Sequence, residues 1–260
     1  MGICRIALLI LWMGAAGCAA SQPVRLQLPP GARIGILNAL EQQMTHTAVG
    51  SLRFNSFTRV HSVDWDIPNH INRAIEKGLR GQGGQSFVSL PVNGPDGWRQ
   101  SMPGDVLTAV TGWMPRRLKA VLEGAAEENR LDAIVTVSSY DSAAWPDAAC
   151  FRIGKEAAAM RGYGLFTRDR VLSRLSGLAP VGRDTATPYA NILVAVFQTR
   201  PAALAGYGRA PCSEASLTDF AGAGEQGVLD PAVIRQIRPH VERLGVEAAQ
   251  SALRASGLLP

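Results

Sequence analysis

Apolar and polar positions along this chain switch between a period of two and a period near 3.6, and each switch marks an element. Arg33-Ile-Gly-Ile-Leu-Asn-Ala-Leu40 is a nearly unbroken apolar run. Pro29-Pro30-Gly31 precedes it and Glu41-Gln42-Gln43 follows, the pattern of a buried strand. Residues 44–63 form a second extended region. There Leu52, Phe54, Val60 and Val63 alternate with Arg53, Asn55, Arg59 and Ser62, which suits a hairpin. From Ile67 the period lengthens: Ile67, Ile71, Ala74, Ile75 and Leu79 share one helical face. Asp66 stands at the N-cap, Pro68 fits the first turn, and Gly81 with Gly83-Gly84 ends the helix. Ser86–Val92 reads as a strand and Asn93-Gly-Pro-Asp-Gly97 as a turn. A helical region runs from about Asp105 to Asn129, interrupted near Gly112 and Pro115, and Asp132–Ser138 is a further strand.

Strand, helix, strand, helix, strand is the order of an α/β unit with parallel strands. Beyond residue 139 the pattern changes. Tyr163–Thr167, Asn191–Phe197 and Ala203–Tyr207 read as antiparallel strands extending the same sheet. The chain closes with a helix from Pro231, capped by Asp230, through Val233, Ile237, Val241, Leu244, Ala248 and Leu253. Pro239 is expected to kink or divide it. No internal repeat or interdomain linker is visible, and 211–229 reads as a surface loop. The expected fold is α/β: a single domain, a mixed sheet with a βαβαβ first half, antiparallel strands added in the second half, and a C-terminal helix.

Ahead of this domain stands a segment of another kind. Met1–Arg5 carries one positive side chain, Ile6–Met13 is apolar, and Gly14-Ala15-Ala16-Gly17 are small before Cys18. That is the layout of a secretory signal peptide, and the uncharged run is shorter than the roughly 20 residues of a spanning helix. Ala15-Ala16-Gly17-Cys18 resembles the lipobox of bacterial lipoproteins, with Ala15 where the family usually has Leu. The resemblance implies a diacylglyceryl thioether on Cys18 and a further acyl chain, such as palmitate, on its amine. Two or more chains anchor a protein stably. Ala19 after the cysteine implies outer-membrane sorting. The other reading is an ordinary signal peptide with Cys18 incidental. The expected organisation is signal peptide 1–17, tether 18–30 and periplasmic domain 31–260. Element order and leader together resemble periplasmic α/β lipoproteins of the curli-secretion-lipoprotein type. No diagnostic motif of that group occurs here, so no site residue is carried over.

Composition adds exclusions. Lys and Arg total 26 against 21 Asp and Glu, a formal charge of +5, but the cations form no run and have no interleaved aromatics. Nucleic-acid binding is therefore not expected. Of four cysteines, Cys4 lies in the leader and Cys18 is the lipid site. Cys150 and Cys212 remain, and an oxidising periplasm allows them one pairing. Two free thiols or a metal pair are the alternatives.

Two clusters could carry chemistry. Asp64, Asp66 and His70 offer metal-ligating groups. The competing assignment makes Asp66 a helix cap, Trp65 a packing anchor and the histidines surface residues. Ligands of α/β sheets bind at the carboxyl ends of parallel strands. Asn38, Thr45, His46, Ser139, Tyr140 and Asp141 would gather there. His46, Ser139 and Asp141 could form a hydrolase triad, without a G-x-S-x-G elbow. The competing assignment makes Ser139 and Asp141 the start of a turn. Gly222-Ala-Gly-Glu-Gln-Gly227 spells G-x-G-x-x-G but neither follows a strand nor opens a helix, so it reads as a loop. Arg161-Gly-Tyr-Gly164 reads as the start of a strand rather than a phosphate loop. No cofactor is expected.

The sequence therefore predicts a membrane-anchored accessory or adaptor lipoprotein acting through an envelope protein partner. The alternative is a lipid-anchored periplasmic hydrolase or small-ligand binder using the loops after the parallel strands. The first predicts an exposed apolar groove. The second predicts convergence of His46, Ser139 and Asp141.

Overall fold

The computed structural model describes residues 26–49, 56–80, 84–91, 98–145, 147, 149–153, 156–157, 160–168, 185–213, 217 and 229–260. In chain order these hold β1 (Arg33–Asn38), β2 (Gln43–Val49), β3 (Phe57–Ser62), α1 (Ile67–Arg80), β4 (Ser86–Leu90), α2 (Trp98–Val110), α3 (Arg116–Asn129) and β5 (Ala133–Ser139). There follow the short β6 (Arg152–Ile153) and β7 (Glu156–Ala157), then β8 (Gly162–Arg168), β9 (Thr185–Thr199), β10 (Ala202–Arg209) and α4 (Pro231–Ala255). Cys18 with the whole leader, Leu52 and Phe54, and Gly222–Gly227 lie outside the described residues.

The fold is α/β, one domain around a mixed eight-stranded sheet of order β3-β2-β8-β9-β5-β1-β4, with β10 also paired to β9. β1 lies between β4 and β5, parallel to both. A strand so placed is covered on both faces, which explains its continuous apolar run. Alternate residues feed separate cores. Ala133, Val135 and Val137, with Ile192, Val194 and Val196, meet α1 and α4 through Ile71, Ile75, Val241, Leu244 and Ala248. Ile134, with Leu193, Ala195 and Phe197, meets α2 and α3 through Met102, Val106, Leu118 and Leu122.

β9 spans two half-sheets. Ile192–Gln198 pair antiparallel with β5, and Thr185–Asn191 pair antiparallel with β8. β8 in turn is parallel to β2, which forms the expected hairpin with β3. β1 and β2 thus run in one direction, as do β5 and β8. The chain steps across the seam at 39–42 and makes a longer excursion at 140–161. Buried bonds close the seam. Asn191 Nδ2 donates to the Met160 carbonyl at 2.7 Å, the Ser142 hydroxyl to the same carbonyl at 3.2 Å, and the Tyr140 amide to the Asn191 carbonyl at 3.0 Å.

Several boundaries differ from expectation. α2 starts at Trp98 rather than near Asp105; Pro103 and Gly104 hide its period. β9 is 15 residues long, beginning well before Asn191. α4 is one helix of 25 residues across Pro239, capped by Asp230, whose carboxylate accepts the Ala232 amide at 2.6 Å. Part of the stretch read as tether is packed: Leu26 is 8 % exposed in the main core, and its amide donates to the Ser256 carbonyl at 2.9 Å.

Cys150 and Cys212 form a disulfide, with Cα atoms 5.2 Å apart across 62 residues of sequence. It ties the 140–161 excursion to the segment after β10. In the chain-entropy account, a loop of this length implies a loss of about 4 kcal/mol on reduction. Denaturant titration with and without reductant, or of Cys150→Ser/Cys212→Ser, measures it. At Gly164 a Cβ would fall 2.7 Å from the Thr45 carbonyl carbon and 2.9 Å from its amide nitrogen. Backbone cannot yield as a side chain can. Gly164→Ala should therefore lower stability by about 1–3 kcal/mol, the usual range for overpacking, in a thermal or urea melt.

Candidate functional site

The seam opens a cavity of about 280 Å³ at the carboxyl ends of β1 and β5. Thr45, Thr58, Ser139, Asp141, Arg161 and Tyr163 are among its lining residues. β1 and β5 are neighbours as the sequence implied, and Thr45, Ser139 and Asp141 do reach one place. His46 does not join them. Adjacent strand residues face opposite sides, and His46 is fully buried, its Nε2 3.0 Å from the Thr167 hydroxyl and its ring edge-on to Phe57. The Ser139 hydroxyl instead accepts from Arg161 Nε at 3.3 Å. Asp141 accepts the Ala143 amide at 2.8 Å, making the turn named as its competing assignment. No base faces the serine within this group, and Asp141 orients no imidazole. The geometry expected of a triad is not assembled.

Asn38 serves the fold. Its Nδ2 donates to the Pro68 carbonyl at 3.0 Å and to Asn72 Oδ1 at 2.7 Å, and its Oδ1 accepts the Leu40 amide at 3.1 Å. It clamps the end of β1 to the first turn of α1. Tyr140 points into the other core, its ring 5.8 Å from Trp145. Burial raises its phenol above the usual range, and Arg209 opposes the shift.

The cavity's polar groups largely satisfy one another. Arg161 approaches Glu41 at 4.0 Å as well as Ser139, and the Tyr163 hydroxyl donates to the Glu41 carbonyl at 2.8 Å. Burial first, then the Glu41 carboxylate, pushes the Tyr163 phenol up to about 12. Sequence reasoning missed Arg161, Glu41 and Tyr163. Gly162, at φ +68°, carries out the predicted strand start. That Arg161 then returns to Ser139 follows from the seam register, which no local pattern encodes.

Asp64, Asp66 and His70 are not gathered either. Asp66 is at the N-cap: its carbonyl accepts the His70 amide at 2.9 Å, and its carboxylate takes Asn69 Nδ2 at 3.0 Å. Arg238 of α4, bonded to Glu242 at 2.7 Å, feels the field of both Asp64 and Asp66. His70 lines a groove between α1 and α4 instead. Among the described residues no three His, Cys, Asp or Glu side chains converge to hold a metal ion.

No protein-family model, curated protein or solved structure matches this chain.

A second cavity, about 670 Å³, wraps the outer edge of β10. Ala109, Val110 and Met114 line one side, Leu204 and Tyr207 the strand, and Ser251 with Ala255 the other side. Trp113, 67 % exposed, follows Gly112 of that lining, and Tyr207 is 38 % exposed. Among the described residues β10 pairs with β9 alone. It carries no lysine or proline, the residues that usually blunt an edge.

Two outcomes follow. Asn38→Ala removes three bonds and should cost about 2 kcal/mol in a denaturant titration. Tyr163 holds its proton longer folded than unfolded, where its pKa is 10.0. Between pH 10 and about 12 the unfolded chain loses a proton that the folded one keeps, so stability is complete below that window and falls as pH rises through it. Tyr163→Phe should flatten this alkaline slope in pH-dependent melts.

Proposed function

We propose that this chain is a membrane-anchored envelope lipoprotein, held by acyl groups on Cys18, that acts as a non-enzymatic accessory or adaptor subunit through a protein partner. The observation that carries the reading is the outer edge of β10, which pairs with no strand among the described residues, with its apolar groove. A partner supplying an extended segment there would gain main-chain hydrogen bonds to the edge and seat alternate side chains in the groove, the physics of strand addition. Trp113 and Tyr207 supply the amphipathic aromatic surface that dominates such contacts. The anchor side rests on the leader and its lipobox-like end. Outer-membrane placement facing the periplasm rests on Ala19, and the disulfide suits an oxidising compartment. Among the described residues no helix is long and apolar enough to cross a membrane.

The alternative, a lipid-anchored hydrolase or small-ligand binder at the strand ends, keeps one support. The seam cavity does bring Thr45, Ser139, Asp141 and Arg161 together. With His46 turned away, that support extends to binding rather than hydrolysis.

The test is crosslinking in intact envelopes followed by pull-down of the native protein. Mass spectrometry of the processed amino terminus reports on lipid, with Cys18→Ser as its control. The expected result is a diacylglyceryl-modified Cys18 and a stoichiometric partner that disappears in Trp113→Asp, an exposed change that leaves the fold intact. An unmodified Cys18 would remove the anchor. A partner indifferent to Trp113→Asp and Leu204→Glu would remove the groove from the reading.

A further inference from the structure

A groove of about 660 Å³ runs between α1 and α4 on the face away from the sheet. Arg73 and Lys77 line it from α1 and Arg254 from α4, above an apolar floor that includes Val246, Leu253 and Leu259. All three cations are exposed, and among the described residues no acidic side chain lines the groove. The acids of the two helices are engaged elsewhere: Glu76 with Arg80 at 2.9 Å, Glu242 with Arg238 at 2.7 Å, and Glu247 with Arg243 at 2.8 Å. Arg73 and Lys77, four apart on one helix, repel each other, and Arg254 adds a third like charge from across the groove. Three cations lining one groove beside apolar side chains are complementary to an anionic group on an apolar body.

The place of the groove selects the anion. Leu259 lines it, and Ser256, three residues earlier, accepts the Leu26 amide. Leu26 is therefore packed beside the groove. Cys18 lies eight residues before Leu26, and at no more than about 3.6 Å per residue that span is under roughly 30 Å. An acylated Cys18 would keep this end of α4 close to the bilayer.

We propose that the α1/α4 groove is a docking site for the phosphate headgroups of an anionic lipid, which fixes the orientation of the domain on the membrane. Its choice of lipid over a soluble anion rests on the lipoprotein reading above. Arg73, Lys77 and Arg254 pair with headgroup phosphates, and Val246 and Leu259 meet the first methylenes below them. The face bearing α2 and α3 is then turned outward.

The test is cosedimentation of the full chain carrying Cys18→Ser, so that no acyl anchor dominates, with phosphatidylcholine vesicles with and without phosphatidylglycerol. The expected result is tighter binding to the anionic vesicles that weakens as salt shortens the Debye length. Arg73→Gln/Lys77→Gln/Arg254→Gln should weaken it on the order of a hundredfold, given the contribution of each cation at an anionic surface. A control losing Arg116, Arg117 and Arg235 to glutamine should bind like the parent apart from a small general charge effect. Equal loss in the two variants would overturn the proposal, as would full competition by inorganic phosphate, which would mark a soluble-anion site. Mass spectrometry of Cys18 in the native protein tests the lipoprotein reading separately, so the two failures are distinguishable.

Discussion

Among the described residues, β9 is the strand that both half-sheets share. Its 15 residues pair with β5 over one half and β8 over the other, so each half-sheet is held in line by the same backbone. Cooperative pairing of this kind leaves little freedom at the junction. Asn191 sits there and spends its side chain on the Met160 carbonyl, in a buried position where an unpaired amide would be costly. The rest of the architecture follows. β1 and β2, β5 and β8 must each pause at the seam, and their linking segments bring Glu41, Ser139, Asp141 and Arg161 to one spot.

That spot has the location of an α/β ligand site, yet its polar groups already have one another, and its cavity is small. The larger opening lies along β9's other neighbour, β10, which among the described residues pairs with β9 alone. The division is physical. Polar side chains crowd the seam because strand ends expose peptide groups that need bonding. Small and aromatic side chains of β10 line the other cavity, together with residues of α2 and α4 from the two helix layers.

Much of the fold was legible along the chain. β1, β4, β5, α1 and α4 each carry an apolar period that tertiary packing reinforces, and Asp230 caps α4 in the manner its position implied. α2 was obscured by Pro103 and Gly104, and the first half of β9 by the lack of a clean alternation ahead of Asn191. The strand-end cluster was legible in part: β1 and β5 are neighbours, and Thr45, Ser139 and Asp141 line one cavity, Thr45 arriving on β2 through its pairing with β8. His46 was misplaced because strand alternation turns it away once its neighbour Thr45 faces the cavity, and which of the two does so is set by how β2 registers with β8, a pairing across more than a hundred residues. The convergence of Arg73, Lys77 and Arg254 was invisible for the same kind of reason. It exists only once α1 and α4 lie side by side.

The bond from Leu26 to Ser256 also has a mechanical meaning. Tension arriving along the chain ahead of Leu26 does not reach β1 first. It is borne where the buried Leu26 side chain and its amide meet the end of α4, and α4 is bedded along β9 and β10 over most of its length. The load is thus shared by the deepest part of the core, and the strands nearest the amino terminus are shielded from being unzipped one by one.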